Sequence, residues 1–318
     1  MAQEIIDLVI RNLTFISTLF GEEIVNILNY SVGTAIAQTL PLFMAGFSVY
    51  MLLVSLNWLR GGIDDNFLGT IKSAIGWLLI IGFGFNFANY IKISEILYTM
   101  PDQLGFVILG REMVDKEMFS PFTEFMRNFQ MNVDIVAKDL GKFDFTNKML
   151  LALSTFVTLF FTGSLLVVTY AFYLVAKISL LLTLFVGPVF IGFMLFPVTR
   201  QYGMNWIGQI LNYTFTIVFY MVISSLLFKV QAYALDELKI AGMVTLPGLL
   251  NASFAVAFTS ILLIFVLFFV PSMASALTGG SGISFNSGVR AISKLASFVP
   301  GLQKLSLAGR MLPTSRSR

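Results

Sequence analysis

Between Gly187 and Tyr213 the chain reads GPVFIGFMLFPVTRQYGMNWIGQILNY, an apolar segment broken by Gly187-Pro188 and closed by Phe196-Pro197. One cation follows at Arg200, and an amphipathic run then carries Trp206, Gln209, Asn212 and Tyr213. A proline inside a helix removes a backbone donor and leaves the carbonyl four residues earlier without its partner. In hydrocarbon no water can replace that partner, so such a segment is packed inside protein or lines a wet cavity. Whatever this chain folds into has to shelter that break.

The surroundings are hydrocarbon by composition. Of 318 residues 57% are hydrophobic and 12% charged, where soluble domains carry roughly 25% charged residues. With a mean hydropathy of +0.85 the chain reads as an all-α, polytopic transmembrane protein. It has no Cys and no His, which excludes disulfides, thiolate or histidine chemistry, histidine-ligated haem and the usual zinc sites. Gly69-Thr70-Ile71-Lys72-Ser73 has the wrong spacing for a Walker A loop, and Gly82 and Gly84 lack the third glycine of a dinucleotide fingerprint. These two read instead as small residues that let helices approach, with Asn86 and Asn89 bonding across the contact. No apolar span carries the carboxylate that ion-coupled transporters commonly use as a relay. No enzyme activity and no cofactor are expected.

Taken in order, residues 1–33 form an amphipathic helix. Ile6, Val9, Leu13, Ile16, Phe20, Ile24 and Ile27 recur at helical spacing opposite Glu4, Asp7, Arg11, Glu22 and Glu23. Lacking a cationic n-region, the stretch does not read as a signal peptide. Residues 34–91 form a two-span hairpin, with spans at about Thr34–Leu59, containing Pro41, and Ile71–Ile91. Residues 92–147 are a charge-balanced extramembrane loop. In it a helix over 122–140 puts Phe122, Phe125, Met126 and Phe129 on one face. Some 55 residues bury little core of their own, so this face is expected to dock on a partner. Residues 148–271 are the main membrane region, with spans at about Leu150–Val175, Trp206–Phe228 and Leu250–Val270 around the broken segment 178–197. Residues 272–318 hold Arg290, Lys294, Lys304, Arg310, Arg316 and Arg318 and no acid, the pattern of a cytoplasmic tail.

Cation placement favours five spans with 178–197 re-entrant. Arg60, Lys72, Lys177, Arg200 and the tail then share the cytoplasm, and the N-terminal helix and the central loop face outward. Lys177 and Arg200 are expected to snorkel to the membrane interface. Gln209 and Asn212 are suited equally to helix–helix hydrogen bonding and to lining a pore that selects no small ion.

The runs Gly187-Pro188-Val189-Phe190, Phe196-Pro197-Val198-Thr199-Arg200, Trp206-Ile207-Gly208-Gln209 and Asn212-Tyr213 resemble the signature segment of the TrbL family. That family includes the sixth VirB protein, an inner-membrane component of type IV secretion systems. The resemblance implies a non-enzymatic channel or platform subunit that passes protein or nucleoprotein substrate and supports pilus assembly, powered by separate ATPases. It also implies a ring of copies, of unknown number with fivefold as a guess, a periplasmic central loop, and contacts with the lipid bilayer. The partners it implies are the minor pilin of the stalk and the bitopic and scaffold inner-membrane components. Gly187, Pro188, Pro197, Arg200, Trp206, Gln209, Asn212 and Tyr213 would then serve assembly or the channel. The short tail departs from family members that extend theirs, so no tail function is carried over.

Overall fold

The computed structural model describes residues 2–61, 75–78, 80–82, 84, 86–110, 120–141, 144–240 and 245–278. Among these there is no strand, and the named elements are seven helices: α1 (Ala2–Gly61), α2 (Phe87–Ile108), α3 (Ser120–Asp139), α4 (Phe145–Phe185), α5 (Gly187–Phe193), α6 (Arg200–Ile240) and α7 (Leu246–Thr278). Four stretches among the described residues are long and apolar enough to cross a membrane: Val32–Leu56, Phe145–Phe185, Arg200–Tyr233 and Leu246–Thr278. The basic tail from residue 279 lies outside the described residues.

Boundaries drawn from hydropathy fall inside helices. α1 is one helix of 60 residues, about 90 Å at 1.5 Å per residue, so no backbone break separates residues 1–33 from the first span. Polar groups within its apolar part are hidden against the helix itself. The hydroxyls of Thr39, Ser48 and Ser55 donate to the carbonyls of Ala35, Met44 and Met51 at 2.6, 2.8 and 2.9 Å. The expected second span, 71–91, is not a single helix. The chain is extended at Asn86 (φ −86°, ψ 110°), which caps α2 by accepting from the Asn89 N–H at 3.2 Å. Asn89 in turn donates to the Gly82 carbonyl at 3.1 Å. These two amides therefore cap their own stretch of chain rather than bonding across to another helix. α2 then continues through Lys92, Glu95 and Asp102, past the point where the extramembrane loop was expected to begin.

α4 likewise merges two expected pieces. Its 41 residues reach about 60 Å, roughly twice the hydrocarbon thickness, and include Lys177 and the first half of the segment 178–197. That segment is therefore the end of one helix, the short α5, and a run of turns, not a separate span.

α4, α6 and α7 pack against one another as a three-helix core. Small hydroxyls let the helices close and bind them: Ser154 and Ser253 share a hydrogen bond of 2.7 Å, and the Gln231 amide donates to Ser260 at 2.5 Å. Phe172 stacks on Tyr220 and meets Phe268 edge-on. α2 and α3 both lie on α6, while α5 sits between α1 and α6. By contrast, only 6% of the most apolar window of the α1 span is buried within the chain.

α3 corrects a sequence expectation. Phe122, Phe125, Met126 and Phe129 are all buried, against α6 and to a smaller extent α4 and α7, with the rings of Phe122 and Phe228 5.6 Å apart. They do not form a partner-docking face, because the apolar stripe is satisfied by the chain's own core. Phe125→Ala is expected to destabilise the fold by about 3–5 kcal/mol, whereas Met131→Ala on the exposed side changes it by less than about 0.5 kcal/mol. Unfolding in detergent, followed by circular dichroism, distinguishes the two.

Candidate functional site

The break at Gly187-Pro188 is where α1, α2, α4, α5 and α6 converge. α4 ends at Phe185, and Val186 is at once its C-cap (φ −82°, ψ −2°) and the residue before α5. Pro188 occupies the first turn of α5, where a proline ring is tolerated and its missing N–H is least costly. The missing donor still leaves the Leu184 carbonyl without its helical partner. The buried Tyr90 hydroxyl, from α2, donates to that carbonyl. One residue earlier, the Trp206 indole N–H from α6 donates to the Thr183 carbonyl at 2.7 Å. Two side chains from two other helices thus supply hydrogen bonds at the bend.

Proline leaves the same signature twice more. Pro197 cannot donate to the Phe193 carbonyl, which accepts from the Thr199 hydroxyl at 2.8 Å and, at 3.4 Å, from the Phe196 N–H. Pro271 lies inside α7 and removes the partner of the Leu267 carbonyl, which the buried Tyr220 hydroxyl approaches at 3.4 Å. Between α5 and α6 the chain descends by successive tight turns, with Met194, Leu195 and Thr199 N–H groups donating to the Ile191, Gly192 and Phe196 carbonyls at 3.0–3.2 Å.

Close approach explains two glycines. A Cβ at Gly187 would collide with the Tyr90 hydroxyl and lie 2.7 Å from Trp206 Cζ2; one at Gly203 would lie 2.9 Å from the Phe190 carbonyl oxygen and collide with Met194. Gly203 therefore lets the start of α6 fold back against α5. Phe43 of α1 meets Phe193 edge-on at 5.6 Å on the far side.

A second polar centre lies further back along α4. Lys177, only 8% exposed, forms an ion pair with Asp102 of α2. The Tyr173 hydroxyl donates to the other Asp102 oxygen at 2.8 Å, and the ammonium lies 4.4 Å from the centre of the Tyr98 ring. Lys177 thus turns inward to a carboxylate instead of snorkelling outward. Asp102 is on α2, which the sequence reading assigned to the loop, so no counter-charge was available to Lys177 there.

The structure brings together Gly187, Pro188 and Trp206 of the expected site. Pro197 and Arg200 are exposed on the turn, and Gln209 and Tyr213 are half-buried. Asn212 is buried within the chain, with no partner for its Oδ1. Sequence reading missed Tyr90, Asp102, Tyr173 and Thr199. One signal was present: Tyr90, Ser94, Tyr98 and Asp102 recur every four residues along one helix face, but a boundary at 91/92 cut the stripe.

An all-α bundle whose described residues include four helices long and apolar enough to cross a membrane, with a proline break closed by side chains, defines a multi-pass membrane protein. Residues 47–270, well over half of the chain, match the family described as TrbL/VirB6 plasmid conjugal transfer protein. The chain belongs to this family, whose members are inner-membrane components of type IV secretion systems. It is also 28% identical, over 116 residues, to the type IV secretion system protein VirB6 of Bartonella henselae; the match covers 36% of this chain and 33% of that relative. The chain thus aligns with about a third of the curated relative's length.

Two pairs of substitutions test the geometry. Tyr90→Phe is expected to destabilise by about 1–3 kcal/mol, the effect of orphaning a buried carbonyl, and by less in a Pro188→Ala background, where an N–H is restored; a double-mutant cycle of unfolding energies reads the coupling. Lys177→Met is expected to cost about 3–5 kcal/mol by leaving Asp102 unpaired, and adding Asp102→Leu to recover most of it, measured in the same way.

Proposed function

We propose that this protein is a channel or platform subunit of a type IV secretion system, supporting passage of protein or nucleoprotein substrate and pilus assembly, and is not an enzyme. The match of residues 47–270 to the conjugal transfer family carries this reading, because that stretch contains the whole sheltered break. The break gives a rigid, bent element at the meeting point of five helices, which suits a part that is assembled rather than one that reacts. Energy then comes from separate ATPases, in keeping with a sequence that has no Walker A loop.

Copies of the chain assemble as a ring, fivefold as the working value, with the stalk's minor pilin and the bitopic and scaffold components around it. With the broken segment 71–91 counted as a fifth crossing, the N-terminal helix and the central segment face the periplasm, and the basic tail lies in the cytoplasm, where short cationic segments are retained. Gly187, Pro188 and Trp206 hold the bend, and Pro197, Arg200, Gln209 and Tyr213 lie on or near the surface offered to neighbours. The mostly unburied α1 span favours packing on other subunits or lipid.

The test is complementation of a deletion strain. Trp206→Ala, and Gly187→Ala combined with Pro188→Ala, are expected to abolish conjugation or effector delivery while the protein still inserts in the membrane. Wild-type transfer by both variants, or by the deletion strain itself, would overturn the proposal.

A further inference from the structure

The bend that the two side chains close also leaves a space beside it. A cavity of about 380 Å³ lies between α2, the end of α4, α5 and α6, with Leu97, Leu184, Ile191, Ile210 and Leu211 among its walls. That volume is within the range of small-molecule sites, about 300–1,000 Å³. Its walls are almost wholly apolar. Tyr90 and Trp206, which also line it, already give their polar hydrogens to the Leu184 and Thr183 carbonyls.

Water in a buried site needs two to four polar partners, and an apolar cavity without them stays dry and takes up hydrocarbon. Ser94 also lines the cavity and its buried hydroxyl has no partner, but with the Tyr90 and Trp206 hydrogens already given away a single hydroxyl falls short of the two to four partners a water needs. On one side the lining includes Ile207 and Leu211, which are 36% and 43% exposed and lie on Arg200–Tyr233, one of the membrane-crossing stretches. The opening is therefore onto an apolar helix surface of a kind that faces lipid. Leu211 stands about 16 Å along α6 from Arg200 at 1.5 Å per residue, a depth that hydrocarbon tails reach and headgroups do not.

We infer that this cavity binds one acyl chain of a membrane phospholipid, which fills the hollow that the Gly187-Pro188 bend creates. The occupant is hydrocarbon because the lining is almost wholly apolar and an unfilled gap forfeits dispersion contacts along its whole lining. Lipid composition then becomes a variable in the stability of the bend. The inference needs only that the chain is a multi-pass membrane protein; it stands or falls independently of the secretion reading.

The experiment uses the full chain in vesicles of phosphatidylethanolamine and phosphatidylglycerol doped with a phosphatidylethanolamine whose acyl chain carries a diazirine near its end. After photolysis, peptide mass spectrometry locates the adducts. The expected result is adducts at Leu97 and Ile210 in excess over those at Phe254 and Phe258, which are openly exposed on α7. Leu211→Trp at the mouth, and separately Leu97→Trp on the opposite wall, are expected to lower the cavity adducts about tenfold, the effect of losing roughly 1.4 kcal/mol of binding, and to leave the α7 adducts unchanged. Size-exclusion elution confirms that each variant is folded, and Leu211→Trp alone suffices if Leu97→Trp is not. Adducts no more abundant at the cavity than on α7, or insensitive to Leu211→Trp, would overturn the inference.

Discussion

A backbone carbonyl stripped of its helical partner by proline has no water to turn to inside a membrane, and the arrangement of this chain follows from how those carbonyls are satisfied. Pro41 and Pro101 also lie inside helices, but at Leu184, Phe193 and Leu267 the carbonyl that a proline leaves without its helical donor meets a hydroxyl, from Tyr90, Thr199 or Tyr220. Two of those hydroxyls come from other helices. Each such hydrogen bond fixes an interhelical position as well as a local one, so satisfying the backbone and assembling the bundle are one requirement.

The consequences spread outward from the first of these bonds. For Tyr90 to reach Leu184, α2 must start beside the end of α4, and Asn86 turns the chain so that it does. Once α2 lies there, Asp102 falls three turns further on, against Lys177, and a charge that hydropathy would leave at the membrane surface becomes an internal tie. Trp206 can reach Thr183 only if α6 packs on α5, which Gly203 permits. An ion pair of this kind adds little net stability over apolar contacts, but breaking one half of it is costly. The hollow left beside the bend is the geometric residue of the same arrangement.

Much of this was legible in the sequence, and the parts that were not share a cause. Composition established the membrane class, and Gly187-Pro188 with Trp206 marked the place where shelter was needed, because proline's missing donor is a local property. Tyr90 as the shelter was not legible, since nothing local ties residue 90 to residue 184. Hydropathy also drew borders at charges, placing one at Lys92 and another at Lys177, although a helix continues through a charge whose partner is supplied from elsewhere. The stripe Phe122, Phe125, Met126 and Phe129 was correctly apolar and wrongly assigned, for periodicity shows that a face is buried but not whose surface covers it.

The central claim is that the Tyr90 hydroxyl replaces the donor that Pro188 lacks, and the amide I band of a single carbon-13, oxygen-18 label at the Leu184 carbonyl reports on it directly. In the membrane-inserted protein the band should lie at a hydrogen-bonded frequency and move up to that of a free carbonyl in Tyr90→Phe. A free-carbonyl band in the unmodified protein, or a band that Tyr90→Phe leaves in place, would contradict the claim.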